Sequence, residues 1–235
     1  MRKPLKGHQR ALGAPSRTTA RLVRRVWLYG PSDAGVTASR TATTAVPAGA
    51  GWVEARAVGA GGSAHQVNNT NGGGGAYARG GAAVSPGGSV VTVTPGQAGS
   101  GDPPDATVSV NGVVIVKAAS GKTAGVANGA GGAASGCIGT TIVAGGAGGS
   151  DGGLAGGDQA DADSLEIGGQ YRKAAGGDRV TTGASHPQPN DFGCGGHYTD
   201  NYVPATNVDT GWSNRLAHYG AGGIVVLEFW SKKPR

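Results

Sequence analysis

VPAGAGWVEARAVGAGG, residues 46–62, contains a Pro-Gly turn signal, one short alternating segment and the entry into glycine-rich sequence. Side chains alternate across an extended chain, so Trp52, Glu54, Arg56 and Val58 fall on one face and Val53, Ala55 and Ala57 on the other. Such a strand buries only a thin layer of small side chains. The chain beyond residue 62 repeats the plan, a few strands holding up long Gly/Ala loops.

Working outward, strand signals recur at Ala82 to Val84, Ser89 to Thr94, Thr107 to Val110 and Val113 to Lys117, divided by SPGG, TPGQ, GSGDPPD and Asn111-Gly112. The Asn-Gly pair between VSV and VVIVK predicts a two-residue hairpin, because both residues tolerate positive φ. Residues 46–117 therefore read as a β-meander with short connections. Upstream, LVRRVWLY from Leu22 to Tyr29 is a strand closed by a GPSD turn, and Thr37 to Val46 is polar enough for an edge strand. Downstream, IVVLEFW from Ile224 to Trp230 is apolar without alternation, which predicts a closing strand at the centre of its sheet.

The chain has 48 Gly and 12 Pro in 235 residues, with 2 Phe, 4 Trp and 6 Tyr. Glycine loses the most backbone entropy on ordering, and little apolar bulk is present to offset it. Burial against neighbouring copies is expected to make up the difference, in a homotrimer or larger oligomer. From Ala118 to about Gly196 glycine dominates, and two readings stand. One is disorder; the other is a polyproline-II-like conformation in which glycine lets segments approach and bond through their backbones. Ile138, Leu154, Leu165 and Ile167 would then peg the loops onto the sheet.

Charge is uneven. Residues 1–40 carry nine Lys/Arg against Asp33, and residues 41–235 carry eleven against thirteen acids, so the net +6 belongs to the start of the chain. Residues 1–40 read as an extended basic anchoring arm (Arg2, Lys3, Lys6, Arg10, Arg17, Arg21, Arg24, Arg25) and residues 41–235 as a glycine-rich β domain. Docking on an acidic neighbouring subunit is preferred over nucleic-acid contact, because no aromatic or helical scaffold accompanies the charge. Cys137 and Cys194 are too few for a disulfide framework and too far apart for a metal knuckle, and whether they pair is left open. No apolar run has the length of a membrane span, and the basic start lacks a secretory apolar core.

Motifs for chemistry fail on context. Gly59-Ala60-Gly61-Gly62-Ser63-Ala64 matches a dinucleotide fingerprint, but HQVNNTNGGGG cannot form the required helix, and no acid lies between Glu54 and Asp102. Gly121-Lys122-Thr123 resembles a phosphate loop whose first glycine is replaced by Val116, and Asp191-Phe192-Gly193 is an isolated triplet. The acids Asp158, Asp161, Asp163 and Glu166 follow a GGAGGSDGG run, yet Ser150 stands where a calcium-binding repeat needs Asp, which favours a solvated loop. Asp191, Cys194, His197, Asp200 and His218 have no common zinc spacing. No catalytic residue, metal or cofactor is therefore assigned. The segment 197–219 is different: His197, Tyr198, Asn201, Tyr202, Trp212 and Tyr219 are residue types that surface loops use to recognise sugars and proteins. Its aromatic rings also suit a scarce core, with Trp212 and Phe192 inclined that way.

VPAG at 46–49, AVGAGG at 57–62, GGGGAYARG at 72–80, VSPGGSVVTVTPGQAG at 84–99 and GIVVLEFW at 223–230 together resemble the glycine-rich domain of bacteriophage virion proteins, found mostly in tail fibres and tail-tip proteins. The likeness spans roughly residues 43–230 and departs from the pattern at DPPDATVSVNGVVIVK and at the aromatic-rich 185–219. It implies an all-β, β-sandwich-like scaffold with long glycine-rich loops (118–196), an aromatic loop (197–219) and a closing strand (223–230). It also implies a usually trimeric, non-enzymatic structural protein, assembled in the host cytoplasm into a virion and displayed at an exposed end. Its partners would be other virion subunits and a host-surface glycan or protein. The alternatives are a capsid decoration or head-fibre protein anchored by the basic arm, and a lectin or carbohydrate-active enzyme on the same scaffold.

Overall fold

The computed structural model describes residues 19–29, 41–65, 70–96, 101–148, 164–167, 170–173, 220 and 222–234. These residues form an all-β, sandwich-like structure of two antiparallel sheets. The larger sheet has the order β1 (Leu22–Tyr29), β11 (Ile224–Trp230), β3 (Trp52–Val58), β4 (Tyr77–Ala83), β8 (Thr141–Val143). The smaller has the order β2 (Ala42–Ala45), β5 (Val90–Thr94), β6 (Ala106–Val110), β7 (Val113–Ala118). A separate hairpin joins β9 (Ser164–Ile167) to β10 (Gln170–Lys173). Among the described residues no helix is long and apolar enough to cross a membrane.

β1 and β3 span the residues their patterns predict, and β11 lies between them, paired with both. That central place explains its unbroken apolar run: Ile224, Val225, Val226, Leu227 and Phe229 are all buried. The Asn-Gly hairpin forms as expected, with φ of 51° at Asn111 and 80° at Gly112. Its side chain also reaches back, Asn111 Oδ1 accepting the Val90 N–H at 2.8 Å.

Residues 46–117 are not one meander. β5, β6 and β7 form a meander, but β3 and β4 belong to the opposite sheet, and the chain changes sheets at the turns 46–51 and 84–89. The cause is burial: Val53, Ala55 and Ala57 need a second apolar layer, and Val91, Val93, Val108 and Val116 supply it. β4 also begins earlier than its composition suggests. Its glycines serve close packing, since a Cβ on Gly81 would stand 2.6 Å from the Val53 carbonyl oxygen and 2.8 Å from the Trp52 indole nitrogen.

Between the strands the glycine-rich segments bond to one another at every third residue. Gly59, Gly62 and His65 donate their N–H groups to the carbonyls of Ala76, Gly73 and Thr70, at 2.9, 2.8 and 2.8 Å. Gly73 and Ala76 donate in turn to Lys122 and Ala119 at 3.0 and 2.7 Å. Gly129 and Gly132 donate to Asn71 and Gly74, both at 2.8 Å, and Gly74 to Gly146 at 2.8 Å. Segment 70–76 is thus bonded to four others: 59–65, 119–124, 129–132 and 145–148. A side chain has no room there: a Cβ on Gly62, Gly73, Gly75 or Gly145 would fall on the backbone carbonyl of Lys122, Ala130, Gly59 or Gly74. Ile138, expected as an apolar peg, holds on through its backbone instead, exchanging two 2.9 Å hydrogen bonds with Lys117 while its side chain stays exposed.

Glycine is therefore required by contact at some positions and by nothing at others. Gly73→Ala is expected to cost at least about 3 kcal/mol, because rigid backbone must move to admit the methyl. Gly125→Ala, facing open space, is expected to be neutral or to stabilise by up to about 1 kcal/mol. Urea denaturation of the two variants measures the contrast.

Candidate functional site

Strand direction gives the molecule two unlike ends. Three glycine excursions leave the sandwich at the same end: 59–76 between β3 and β4, 119–140 between β7 and β8, and 144–223 between β8 and β11. The first two are tied together near their tips, where Thr70 Oγ1 donates to the Gly125 carbonyl at 2.8 Å and the Asn71 N–H to Asn128 Oδ1 at 2.9 Å. The third joins them through the Gly148 N–H, which donates to the Gly129 carbonyl at 2.8 Å. Val126 stands 92% exposed at this end, and His65 Nδ1 is buried there with no hydrogen-bond partner among the described residues.

The third excursion carries the recognition residues expected from sequence. Its flanks are lattice members: Gly148 as above, and Gly220, where a Cβ would meet the Gly61 carbonyl. His197, Tyr198, Asn201, Tyr202, Trp212 and Tyr219 themselves lie outside the described residues, as do the acids Asp158, Asp161 and Asp163, and Cys194.

One wall of the lattice is built from side chains. Asp102 and Asp105 accept the N–H groups of Thr123 and Ser120, each at 2.9 Å. The Ser120 and Thr123 hydroxyls donate to the carbonyls of Pro104 and Gly101 at 2.7 and 2.8 Å, and accept the N–H groups of Ala60 and Ser63 at 2.9 and 3.3 Å. Every set of partners is spaced by three residues. DPPD thus runs beside 119–124 as an extended Pro-Pro segment whose carboxylates take the place of peptide carbonyls. Burial pushes the Asp102 carboxyl up, but the Thr123 N–H and the Lys122 ammonium at 3.2 Å outweigh it and hold the group below the usual carboxylate range.

These bonds occupy most of the N–H groups of the nucleotide-like and phosphate-like motifs. Gly59 and Gly62 donate to Ala76 and Gly73, Ala60 and Ser63 to hydroxyls, Gly121 and Lys122 to the carbonyls of Ala60 and Ala130, and Thr123 to Asp102. No N–H of either motif named here points at an open cradle. Among the described residues no cluster of His, Cys, Asp or Glu is arranged to hold a metal. Cys137 has no disulfide partner among the described residues, and its thiol donates to the Ala133 carbonyl at 3.5 Å; burial raises its pKa, only partly countered by the Ala119 N–H it accepts.

The described part of the basic arm is sheet. Arg21 precedes β1, and Arg24 and Arg25 lie within it. Arg2, Lys3, Lys6, Arg10 and Arg17 lie outside the described residues. Arg25 pairs with Glu228 at 2.6 Å, Arg56 bridges Glu228 and Glu54 at 3.5 Å each, and Arg79 closes on Glu54 at 2.8 Å. Glu54 and Glu228 are directly opposite on β3 and β11, where like charges repel, so Arg56 is what makes the register tolerable. The ladder crosses four strands of the larger sheet, and Glu228 is 2% exposed. Strand alternation exposed this face to sequence reading, but the pairing of β11 with both β1 and β3, which assembles the ladder, is long-range.

No family model matches the chain, and a search of curated proteins returns no match.

Glu228→Gln removes the counter-charge that Arg25 and Arg56 share; because both guanidiniums keep some solvent access, the expected loss is about 2–3 kcal/mol, below that of a fully buried pair. Calorimetry on Glu228→Gln beside Glu54→Gln, expected at about 1 kcal/mol, tests the ranking. Asp102 has a depressed folded pKa, so its contribution is present above the unfolded pKa and is lost as the pH falls below about 4. Asp102→Asn is expected to flatten that part of the stability profile by well under 1 kcal/mol, since the group is half exposed, read from urea midpoints across the acid range.

Proposed function

We propose that the chain is a non-enzymatic structural protein of a bacteriophage virion, a tail-fibre or tail-tip component that carries a glycine-rich display domain for contact with the host surface. The observation that carries this reading is the shared exit of three glycine excursions from one end of the sandwich, cross-linked by main-chain hydrogen bonds. The three-residue period fits polyproline-II-type segments, three residues per turn, laid side by side with glycine at the contacts. Cohesion through the backbone leaves the tips free to carry any sequence, as recognition loops on a rigid scaffold do. Residues 149–219, which hold the aromatic and Asn residues suited to glycan or protein contact, are inserted between two members of that lattice. The resemblance in the order of turn, strand, glycine run and closing strand points the same way.

Gold-labelled antibody against the chain is expected to mark the tail end of the phage particles that contain it. Label over the head surface selects the capsid-decoration reading instead, and particles without label overturn a virion role. At residue level, Tyr198→Ala with Tyr202→Ala is expected to weaken binding of the purified protein to host cells by about tenfold or more, with thermal midpoint unchanged. Retained binding rejects the aromatic segment as the contact.

A further inference from the structure

Arg21, just before β1, and Ser231, just after β11, meet at the end of the sandwich opposite the glycine lattice. The Arg21 N–H donates to Ser231 Oγ at 3.0 Å, and the Ser231 N–H donates to the Arg21 carbonyl at 2.9 Å, so the entry to β1 and the exit from β11 form one ribbon. Residues 1–21 carry six Lys/Arg and residues 231–235 carry three, and neither segment contains Asp or Glu. Nine of the chain's 20 cationic side chains therefore belong to the two segments that flank this ribbon in sequence. The short turns completing this end, 46–51, 84–89 and 110–113, contain no acid either. Arg21, Lys232 and Lys233 are exposed, and Lys233 Nζ stands 5.1 Å from the centre of the Trp52 ring.

The sequence between Gly148 and Gly220 has nine acids against four Lys/Arg. The basic end is also the one that exposes apolar side chains at strand starts: Val113 (68%), Val90 (53%) and Leu22 (36%).

We infer that this end is a docking surface for an acidic protein partner, gripped by Arg21 before β1 and by Lys232 and Lys233 after β11. Cations alone suit phosphates equally well, but a nucleic-acid backbone offers nothing to exposed valines beside them, whereas an interface on a protein supplies both acidic rim and apolar core. The inference deepens the proposed function, in which this is the mounted end, by giving the mount its chemistry. It also extends the anchor beyond residues 1–40 to the last residues of the chain.

Three labelled probes of equal length and comparable charge test it on the full chain near physiological ionic strength: a Glu/Leu peptide, a polyglutamate peptide and a DNA duplex. The Glu/Leu peptide is expected to bind about tenfold tighter than either of the others. Arg21→Glu with Lys232→Glu is expected to weaken it about tenfold, and Val90→Ser with Val113→Ser to bring it down to the polyglutamate level. Both variants should keep the wild-type urea midpoint and host-cell binding. Tightest binding to DNA, no response to charge reversal, or a valine effect seen solely as a change in the protein's own mass in sedimentation overturns the inference. Failure of the particle labelling with these probe results intact would reject the virion reading alone.

Discussion

Backbone lies directly against backbone around segment 70–76, and the rest of the structure depends on that contact. Its N–H and carbonyl groups reach four neighbouring segments, an arrangement open only to chains without a Cβ at the touching positions. Each such hydrogen bond contributes about 1 kcal/mol net, and Cα–H to carbonyl contacts at the same spacing add smaller amounts. A glycine-rich chain is costly to order, and here the offset comes from peptide groups satisfying one another more than from large apolar side chains.

The sandwich supplies the footing for that lattice. Its core is made of valine and alanine with Leu227 and Phe229 at the centre, thin but continuous, and β11 ties the last residues of the chain to its first strand. On the outer face of the larger sheet the Arg/Glu ladder sets register by charge where side-chain volume sets little. Lattice and sandwich share their boundary residues: Gly59 follows the last residue of β3 and donates to Ala76, the residue before β4.

Strands were legible wherever alternation or an apolar run lasted several residues, as in Trp52–Val58, Leu22–Tyr29 and Ile224–Trp230. The sheet to which each strand belongs was not, because short turns at Pro47-Ala48-Gly49 and Ser85-Pro86-Gly87 look alike whether the chain folds back or crosses over. Glycine composition left disorder and a packed lattice equally open, since composition carries no register. A readable signal did exist in the paired spacings of Asp102 with Asp105 and Ser120 with Thr123, both three, but it gains meaning only once the two segments are known to be neighbours. Arg25 illustrates the same limit: its positive charge placed it in a tether, whereas its partner Glu228 is 203 residues away.

The three-residue pitch also governs how such a protein can change length. Adding one residue to a lattice segment shifts every later donor and acceptor by one place in the three-residue repeat and takes them away from their partners. Adding three, matched on the returning segment, restores the pattern one step further out. Length change within the lattice is thus quantised in threes, while sequence outside it is under no such arithmetic.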